Sequence, residues 1–331
     1  MKLKLITFLL LWSISLKVNA QDPIFTQSFM VPETLNPGFT GFLETTTTGI
    51  LHKTQWPDLN FRVESDFGFF NTWLEKANSG IGVSILNHRE KFTNYNFTQV
   101  NINYAYRVQL TDEWFFRPAI EVGFGNKSYG FQNIILEDQM NVGLGTIANS
   151  SIDPLLLNDK VTFFDFSAGM LFNKENSWFG ATLKHINKPN ISFAANGNVP
   201  LEMFFSATAG YEFLLGDYID ITYFPYETKM LITSNYMNQG KYSRFDLGAG
   251  LVFKKFFFGV TAATNPSKKT NSSHFLTSIN PYGGLQYEHF KFGYSYDFNT
   301  SNIGNTGGIY ELSVIYQFDL SVKCFGCPNY Y

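Results

Sequence analysis

The chain has 331 residues, of which 18% are aromatic and only 15% are charged, and it contains two cysteines. Its formal net charge of −3 argues against a nucleic-acid partner, which would favour a basic patch. Soluble domains usually carry about 25% charged residues, so this composition is more typical of a membrane β-barrel, where lipid-facing residues come only at every second position.

Residues 1–20 have the pattern of an export signal. Lys2 and Lys4 precede a mostly apolar run that ends at Leu16, and the segment closes on the small residue Ala20. The apolar run is too short to span a bilayer, although an N-terminal anchor helix is the alternative. We predict a signal peptide at 1–20. Without its three lysines, 21 basic residues face 27 acidic ones, a net charge of −6.

Residues 21–42 contain three prolines, two glycines and several aromatic side chains. Proline and glycine interrupt regular backbone hydrogen bonding, so we expect neither a strand nor a helix here. An aromatic-rich irregular segment in front of a barrel can dock in the lumen or under the first strand. We therefore expect residues 21–42 to plug the barrel partly, or to brace it.

From residue 43 to residue 320 apolar and polar residues alternate with the period of a β-strand. The clearest stretch is 97–110, in which Val100 and Ile102 alternate with Gln99 and Asn101. We predict strands at 43–56, 60–70, 80–87, 97–110, 114–125, 161–172, 177–187, 201–214, 218–234, 242–254, 255–263, 276–287, 290–299 and 310–318. Pro225 predicts a bulge in the ninth of these.

This pattern predicts an all-β fold, a transmembrane antiparallel β-barrel of about 14 strands with periplasmic N- and C-termini. The connections support it, because short predicted turns such as 111–113, 254–255 and 288–289 alternate with longer ones such as 126–160 and 264–275. A secreted array of β-sandwiches is the alternative, but it would not require this alternation.

Charged residues on the polar faces of the strands are expected to line the lumen. In the second predicted strand, for example, Phe67 and Phe69 are assigned to the lipid face and Asp66 to the lumen. Such charges would tune selectivity in an open pore, or pair with one another or with a plug in a closed one, and both readings stay open. The predicted lumen-facing charges are Arg62, Glu64, Asp66, Arg107, Arg117, Glu121 and Asp165.

No arrangement of residues predicts catalysis, a cofactor or a metal. The five histidines are scattered, and none has the spacing of a metal-binding motif. An outer-membrane hydrolase with a serine and a histidine brought together by the barrel remains an alternative.

Cys324 and Cys327 form a C-x-x-C pair near the end of the chain. Outside the cytoplasm a local disulfide is the first interpretation. A metal site would need two further ligands, and a redox pair would be expected on a thioredoxin-like pattern that is absent. Unpaired thiols are a further possibility.

Short motifs along the chain resemble the PorP/SprF family of the Bacteroidetes type IX secretion system. Lys53-Thr54-Gln55-Trp56 resembles the end of the family's first strand, and the tail from Lys323 to Tyr331 resembles its Cys-Pro-x-aromatic ending. The family also has a characteristic start, matched here by Gln21, Asp22, Pro23, Phe25, Gln27, Asn36 and Pro37. The chain departs from the family at Pro37-Gly38-Phe39-Thr40-Gly41, where Pro-Ala-x-Ala-Gly is usual, and in an extra tail cysteine.

The resemblance implies a non-enzymatic barrel in the cell outer membrane that assists secretion or surface anchoring of a cargo protein, such as a gliding adhesin. The implied partners are outer-membrane lipids, a cargo with a type IX sorting domain, and periplasmic or outer-membrane components of the secretion system. The barrel would span residues 43–320, with a periplasmic tail at 321–331. A passive porin or a FadL-like transporter of small or hydrophobic solutes is the alternative.

Overall fold

The computed structural model describes residues 21–130, 139–141, 146–147, 159–194, 196–218, 227–267, 275–300 and 306–318. Fourteen long strands dominate these residues. They are β1 (Thr47–Gln55), β2 (Val63–Leu74), β3 (Ser79–Glu90), β4 (Tyr95–Tyr106), β5 (Phe115–Ser128), β6 (Lys160–Lys174), β7 (Ser177–Lys184), β8 (Phe204–Leu214), β9 (Lys229–Gln239), β10 (Tyr242–Phe253), β11 (Phe256–Thr264), β12 (Leu276–Tyr287), β13 (Phe290–Asn299) and β14 (Ile309–Gln317).

Two minor strand elements complete the described part of the chain. Val108–Gln109 continues β4 and pairs with the start of β5. Met140–Asn141 pairs with Thr146–Ile147 in the connection between β5 and β6. The predicted signal peptide and the predicted tail lie outside the described residues.

The sheet closes because its first strand pairs with its last. Thr47 of β1 lies opposite Gln317 of β14, and Gln55 lies opposite Ile309. The other strands pair antiparallel with their neighbours in sequence. Closure gives all fourteen strands a partner on both sides, as a sheet surrounded by lipid requires. The prediction of an antiparallel barrel of about 14 strands is confirmed.

Side chains along the strands alternate between the outer wall and the interior. In β4 the Ile102 side chain is 65% exposed, whereas its neighbours Asn101 and Asn103 are buried. In β13 Tyr294 is exposed and Ser295 is buried. Apolar side chains therefore cover the outer wall and polar ones line much of the interior, as expected for a barrel in a bilayer.

The two ends of the barrel differ in their connections. The base is the end where β1 begins and β14 ends, and the rim is the opposite end. At the base, 254–255 and 288–289 are tight turns, in which Lys254 and Glu288 have positive φ angles. At the rim, the connection 129–159 is much longer.

One base connection is longer than predicted. A short 3-10 helix, Leu215–Asp217, follows β8, and β9 begins only at Lys229 instead of residue 218. Pro225, where a bulge was predicted, lies outside the described residues. Glu227 and Thr228, the described residues directly before Lys229, are not part of the strand, and residues 219–226 lie outside the described residues.

Residues 21–46, the lumen segment, lie inside the barrel. The segment is irregular except for three short 3-10 helices, Thr26–Phe29, Pro32–Thr34 and Pro37–Phe39. Pro32 and Pro37 begin two of them, because the fixed φ of proline suits a first helical turn. No helix in the described part of the chain is long and apolar enough to cross a membrane.

The largest hydrophobic cluster lies between the lumen segment and the barrel wall. Burying one large apolar side chain stabilises a fold by about 1.5–3 kcal/mol, so this cluster holds the segment in place. The segment contributes Phe25, Phe29, Met30, Val31, Phe39 and Phe42, and the wall contributes Leu51, Phe67, Phe69, Leu171, Trp178, Leu231, Phe257 and Tyr282.

Glycine allows the lumen segment to touch the wall near the base. Gly41 has a φ of +64°, and a Cβ at this position would lie 2.6 Å from Gly80 Cα on β3. A Cβ at Gly80 would overlap the carbonyl oxygen of Thr40. Both positions therefore need a residue without a side chain for the two backbones to approach this closely.

Candidate functional site

The lumen segment runs through the barrel from the rim towards the base. Asp22 lies near the rim beside Gln239, the last residue of β9. Thr26 lies halfway down beside Glu311 of β14, and Glu44 lies near the base. The chain then turns into β1. Both ends of the strand series lie at the base, but the segment carries Asp22 back to the rim half of the interior, so Asp22 and the end of β14 do not share one end of the barrel as two periplasmic termini would require.

Glu311 anchors the segment from the wall. Its two carboxylate oxygens accept hydrogen bonds from the backbone N–H groups of Thr26 and Gln27, both at 2.9 Å. The Thr26 hydroxyl donates to Asp297 at 2.7 Å, and Ser313 donates to the Gln27 side chain at 2.6 Å. Hydrogen bonds to charged groups contribute about 1.5–3 kcal/mol each, so this is a strong polar attachment.

Lys53 of β1 completes this attachment. Its ammonium group lies 3.7 Å from Glu311 and donates a hydrogen bond to the carbonyl oxygen of Ile24. Both charged side chains are almost fully buried. A buried carboxylate needs a cation and hydrogen-bond donors nearby, and here the segment's own backbone supplies two of the donors.

Asn36 joins the segment to the opposite side of the barrel. Its amide nitrogen donates to the carbonyl oxygen of Met170 on β6 at 3.0 Å, and its amide oxygen accepts from Gly38 N–H at 2.8 Å. The side chain is fully buried. Asn36 thus caps the third short helix and fixes it to the wall.

Near the rim, His185 links the segment to the wall. One ring nitrogen lies 2.8 Å from Asp22 and the other lies 2.8 Å from Asp165 of β6. Burial would raise the pKa of the Asp22 carboxyl, but His185 and Lys184 outweigh it and hold that pKa below its ordinary value. Asp22 therefore stays charged and paired.

Near the base, Glu44 pairs with two arginines of the wall. Arg107 donates to the Glu44 carboxylate, and Arg117 lies 3.5 Å from it. Arg117 is fully buried and also reaches the carbonyl oxygen of Phe42 at 3.4 Å. Both guanidinium groups lie over the ring of Trp73, at 4.9 and 5.3 Å, which adds cation–π attraction.

Glu33 borders a cavity of about 60 Å³ near the base. One oxygen of its carboxyl accepts from the Asn71 amide at 2.5 Å, and the other has no partner among the described residues. Burial raises the pKa of Glu33 to about 7. The cavity is otherwise lined mainly by apolar side chains, among them Met30, Phe39 and Phe42.

The residues of the predicted N-terminal motif occupy different depths of the lumen. Asp22, Gln27 and Asn36 hydrogen-bond to the wall as described above. Phe25 packs against Phe67, with ring centroids 6.3 Å apart. The remaining motif residues are Gln21, which is exposed, Pro23, which is half-buried, and Pro37, which is buried.

Four of the predicted lumen-facing charges lie in the interior. Arg107 and Arg117 contact Glu44, and Asp165 contacts His185. Glu121 is buried and lines a small cavity together with Asp22. Of these four, Arg107 and Arg117 pair with the lumen segment, and Asp165 pairs with His185, which holds Asp22 of the segment.

The other three predicted charges, Arg62, Glu64 and Asp66, lie on the outer face instead. In β2 the interior residues are Phe67 and Phe69, both buried against the segment, so the residues between them face outwards. Asp66 is half-exposed and pairs with His52 at 2.6 Å. The part of the lumen segment that faces β2 is apolar. The phenylalanines Phe67 and Phe69 therefore face inwards and the charged residues outwards, the reverse of the prediction.

Sequence reasoning missed the wall residues that hold the segment. Glu311, Ser313 and Asp297 alternate with apolar residues in their strands, which indicates a polar strand face but not contact with the segment. The only signal in the sequence is an acidic residue in the last strand together with a proline-rich segment whose backbone N–H groups need acceptors. It is weak, because Thr26 and Glu311 are 285 residues apart in sequence.

The structure offers no metal site in the part of the chain that it describes, where no three His, Cys, Asp or Glu side chains are grouped to hold an ion. Cys324 and Cys327, the predicted disulfide pair, lie outside the described residues.

Solved barrel structures resemble the fold only distantly. A monoaromatic hydrocarbon channel, a TodX mutant, matches with a TM-score of 0.44 at 8% identity, covering 82% of this chain and 87% of that one. A FadL homologue of Pseudomonas aeruginosa matches with 0.41 at 9% identity, covering 86% and 93%. A mutant porin of Rh. blastica gives 0.35 at 8%, covering 83% and 99%.

Sequence comparison is more specific. No curated protein sequence matches the chain. The family model described as "Type IX secretion system membrane protein PorP/SprF" matches residues 17–316, which include the lumen segment and all fourteen strands except the last residue of β14. The chain therefore belongs to the PorP/SprF family of type IX secretion system membrane proteins.

Proposed function

We propose that this protein is a non-enzymatic barrel of the outer membrane that assists secretion or surface anchoring of a cargo protein by the type IX system. The observation that carries the proposal is the family match across residues 17–316. A gliding adhesin with a type IX sorting domain is the kind of cargo we expect. The apolar outer wall contacts membrane lipid.

The proposed orientation follows from the connections. Short turns are typical of the periplasmic end of outer-membrane barrels, and longer loops of the exterior end. The base then faces the periplasm, where components of the secretion system would contact it. The rim faces the exterior, where a cargo would contact it.

The filled lumen supports a role in secretion over a role as an open porin. Between Phe25 and Phe42 most side chains of the lumen segment are buried against the wall. Polar attachments hold it at the rim, in the middle and near the base, through Asp22, Gln27 and Glu44. A solute would have to displace the segment before it could pass.

A FadL-like transporter of hydrophobic solutes is the second candidate. The observation that favours it is the mainly apolar cavity beside Glu33, between the lumen segment and the wall. Its volume of about 60 Å³ suits a few carbon atoms and not a whole solute without movement of the segment. Uptake of radiolabelled alkylbenzenes or fatty acids would distinguish this candidate.

The proposal is tested by deleting the gene from its own host and quantifying proteins on the cell surface by mass spectrometry. We expect one or a few proteins with type IX sorting domains to be lost from the surface and to accumulate inside the cell. Other sorting-domain proteins should be unchanged. Complementation with the full chain should restore the lost cargo.

An unchanged surface proteome combined with reduced uptake of a hydrophobic solute would reject the secretion role and support the transporter. A useful comparison is complementation with Gln27→Ala/Asn36→Ala, which removes two attachments of the lumen segment. Restoration by the full chain but not by this variant would connect secretion to the segment.

A further inference from the structure

Three basic side chains surround one carboxylate on the outer wall at the rim. Glu64 Oε1 lies 2.7 Å from Arg62 and 3.0 Å from Lys91. Glu64 Oε2 lies 2.7 Å from a terminal guanidinium nitrogen of Arg89 and 2.8 Å from its Nε. We name Arg62, Arg89 and Lys91, with Glu64 beneath them, the rim basic cluster.

The cluster carries two positive charges in excess of the carboxylate. Glu64 is only 4% exposed, because the three basic side chains cover it, and they themselves are 36–53% exposed. Arg62 Nε is buried without a hydrogen-bond partner in the described part of the chain. The buried carboxylate thus fixes the three cations in place while leaving them donors for a further anion.

The position of the cluster matches a lipid headgroup layer. Below it on the same face, Ile50, Ile85 and Val100 of adjacent strands are exposed and form the upper part of the apolar wall. Two residues further towards the rim on the same face, His52 pairs with Asp66. Glu64 follows two residues beyond Asp66, so the cluster lies roughly 13 Å farther along the strands than Ile50 and Ile85, at about 3.3 Å per residue.

Two aromatic rings flank the cluster. Phe61 and Phe92 lie with their ring centroids 5.0 Å apart, and they are 52% and 58% exposed. The turn that carries Phe92 and Lys91 is fixed by Glu90, whose carboxylate accepts hydrogen bonds from the backbone N–H groups of Phe92 and Thr93. Exposed aromatic rings of this kind sit at the membrane–water boundary of barrels.

We propose that the rim basic cluster binds the phosphate group of an anionic lipid in the leaflet next to the rim, with the acyl chains extending towards the exposed Ile50, Ile85 and Val100. Arginine and lysine groups recognise phosphate through charge-assisted hydrogen bonds. In the proposed outer-membrane placement this lipid is a phosphorylated glycolipid of the outer leaflet. Only the choice of lipid depends on that placement.

The test is native mass spectrometry of the full chain in detergent, titrated with diphosphoryl lipid A and with dephosphorylated lipid A. We expect the phosphorylated lipid to bind more tightly. Arg89→Gln/Lys91→Gln should weaken its binding about 30-fold, from the attraction of two basic side chains to a charged membrane surface. Lys254→Gln/Lys255→Gln removes the same charge at the base and should leave binding unchanged.

Folding of each variant is checked by the heat-dependent shift of barrel mobility on a denaturing gel. Because loss of two cations leaves Glu64 buried with Arg62 alone, Glu64→Gln/Arg89→Gln/Lys91→Gln is the second variant, and we expect the same loss of binding. The proposal would be overturned if the base variant lost binding equally, or if neither rim variant lost any. Full displacement of the lipid by equimolar inorganic phosphate would also overturn it. None of these outcomes bears on secretion, which is tested in cells.

Discussion

Glu33 places a titratable carboxyl inside the barrel with a partner for only one of its oxygens. Burial raises its pKa from 4.5 to about 7, so the folded chain holds this proton more tightly than an unfolded or displaced segment would. The resulting stabilisation is fully present below about pH 4.5 and is lost as the pH rises through 7. Its upper limit is about 3 kcal/mol.

We therefore expect the lumen segment to be held less firmly at pH 8 than at pH 5. In planar bilayers, the frequency of open-channel events should rise over this range. Glu33→Gln keeps an acceptor for Asn71 but does not titrate, so its opening frequency should be independent of pH. Glu113→Gln, which changes an exposed carboxyl at the base, should behave like the unmodified chain.

His289 and Lys291 line the same cavity as Glu33, so His289→Gln is the second comparison. A pH profile that survives in Glu33→Gln and disappears in His289→Gln would assign the effect to the histidine and contradict the prediction.

Single residues also show where the sequence pattern is informative and where it is not. Alternation separated the two faces of β4 correctly, because only one of them is apolar. In β2 both faces carry phenylalanine, because Phe67 and Phe69 lie on one face and Phe70 lies on the other. The period of two defines two faces but does not show which one faces inwards. An apolar lumen segment decides the question, and its position is not visible in the strand itself.

The lumen segment is the element that fills the interior of the barrel. Its irregular structure could be predicted from Pro32, Pro37 and its glycines, which prevent a continuous helix or strand. Several of its partners could not, because they are far away in sequence: Asn36 and Met170 are 134 residues apart, and Gln27 and Ser313 are 286 residues apart. Local sequence patterns do not indicate contacts between residues so far apart in the chain.

Deleting residues 21–42 is expected to open the barrel. The wall residues that now contact the segment, among them Glu311 and Asp297, would then face water, which solvates their charges. We expect single-channel conductance close to zero for the full chain and a stable open level for the deletion variant. An unchanged conductance would contradict a plugging role for the segment.

A peptide of residues 21–42 added to the deletion variant provides the control. If the contacts described here hold the segment, the peptide should close the open channels again. A peptide of the same composition in scrambled order should not, because the spacing between Thr26, Asn36 and the intervening phenylalanines would be lost. Closure by both peptides would show a non-specific block.

The barrel as a whole was the most predictable feature. Fourteen alternating stretches gave the strand number and the closed fold, since a sheet in lipid cannot leave an edge unpaired. The ninth strand begins at Lys229 and not at residue 218, where the prediction placed it. Family membership then assigns the molecule to type IX secretion, while the direction in which it crosses the membrane rests on the lengths of its connections.

The two ends of β10 allow that direction to be tested on one strand. Lys241 lies in the tight rim turn before Tyr242, Lys255 lies in the base turn after Phe253, and both are exposed. In a chain with Cys324→Ser and Cys327→Ser, we expect Lys241→Cys to react with a membrane-impermeant maleimide on intact cells. Lys255→Cys should react only after the outer membrane is permeabilised. The reverse result would place the base outside, and with it the short turns, so the arrangement of cargo and periplasmic partners proposed here would have to be inverted.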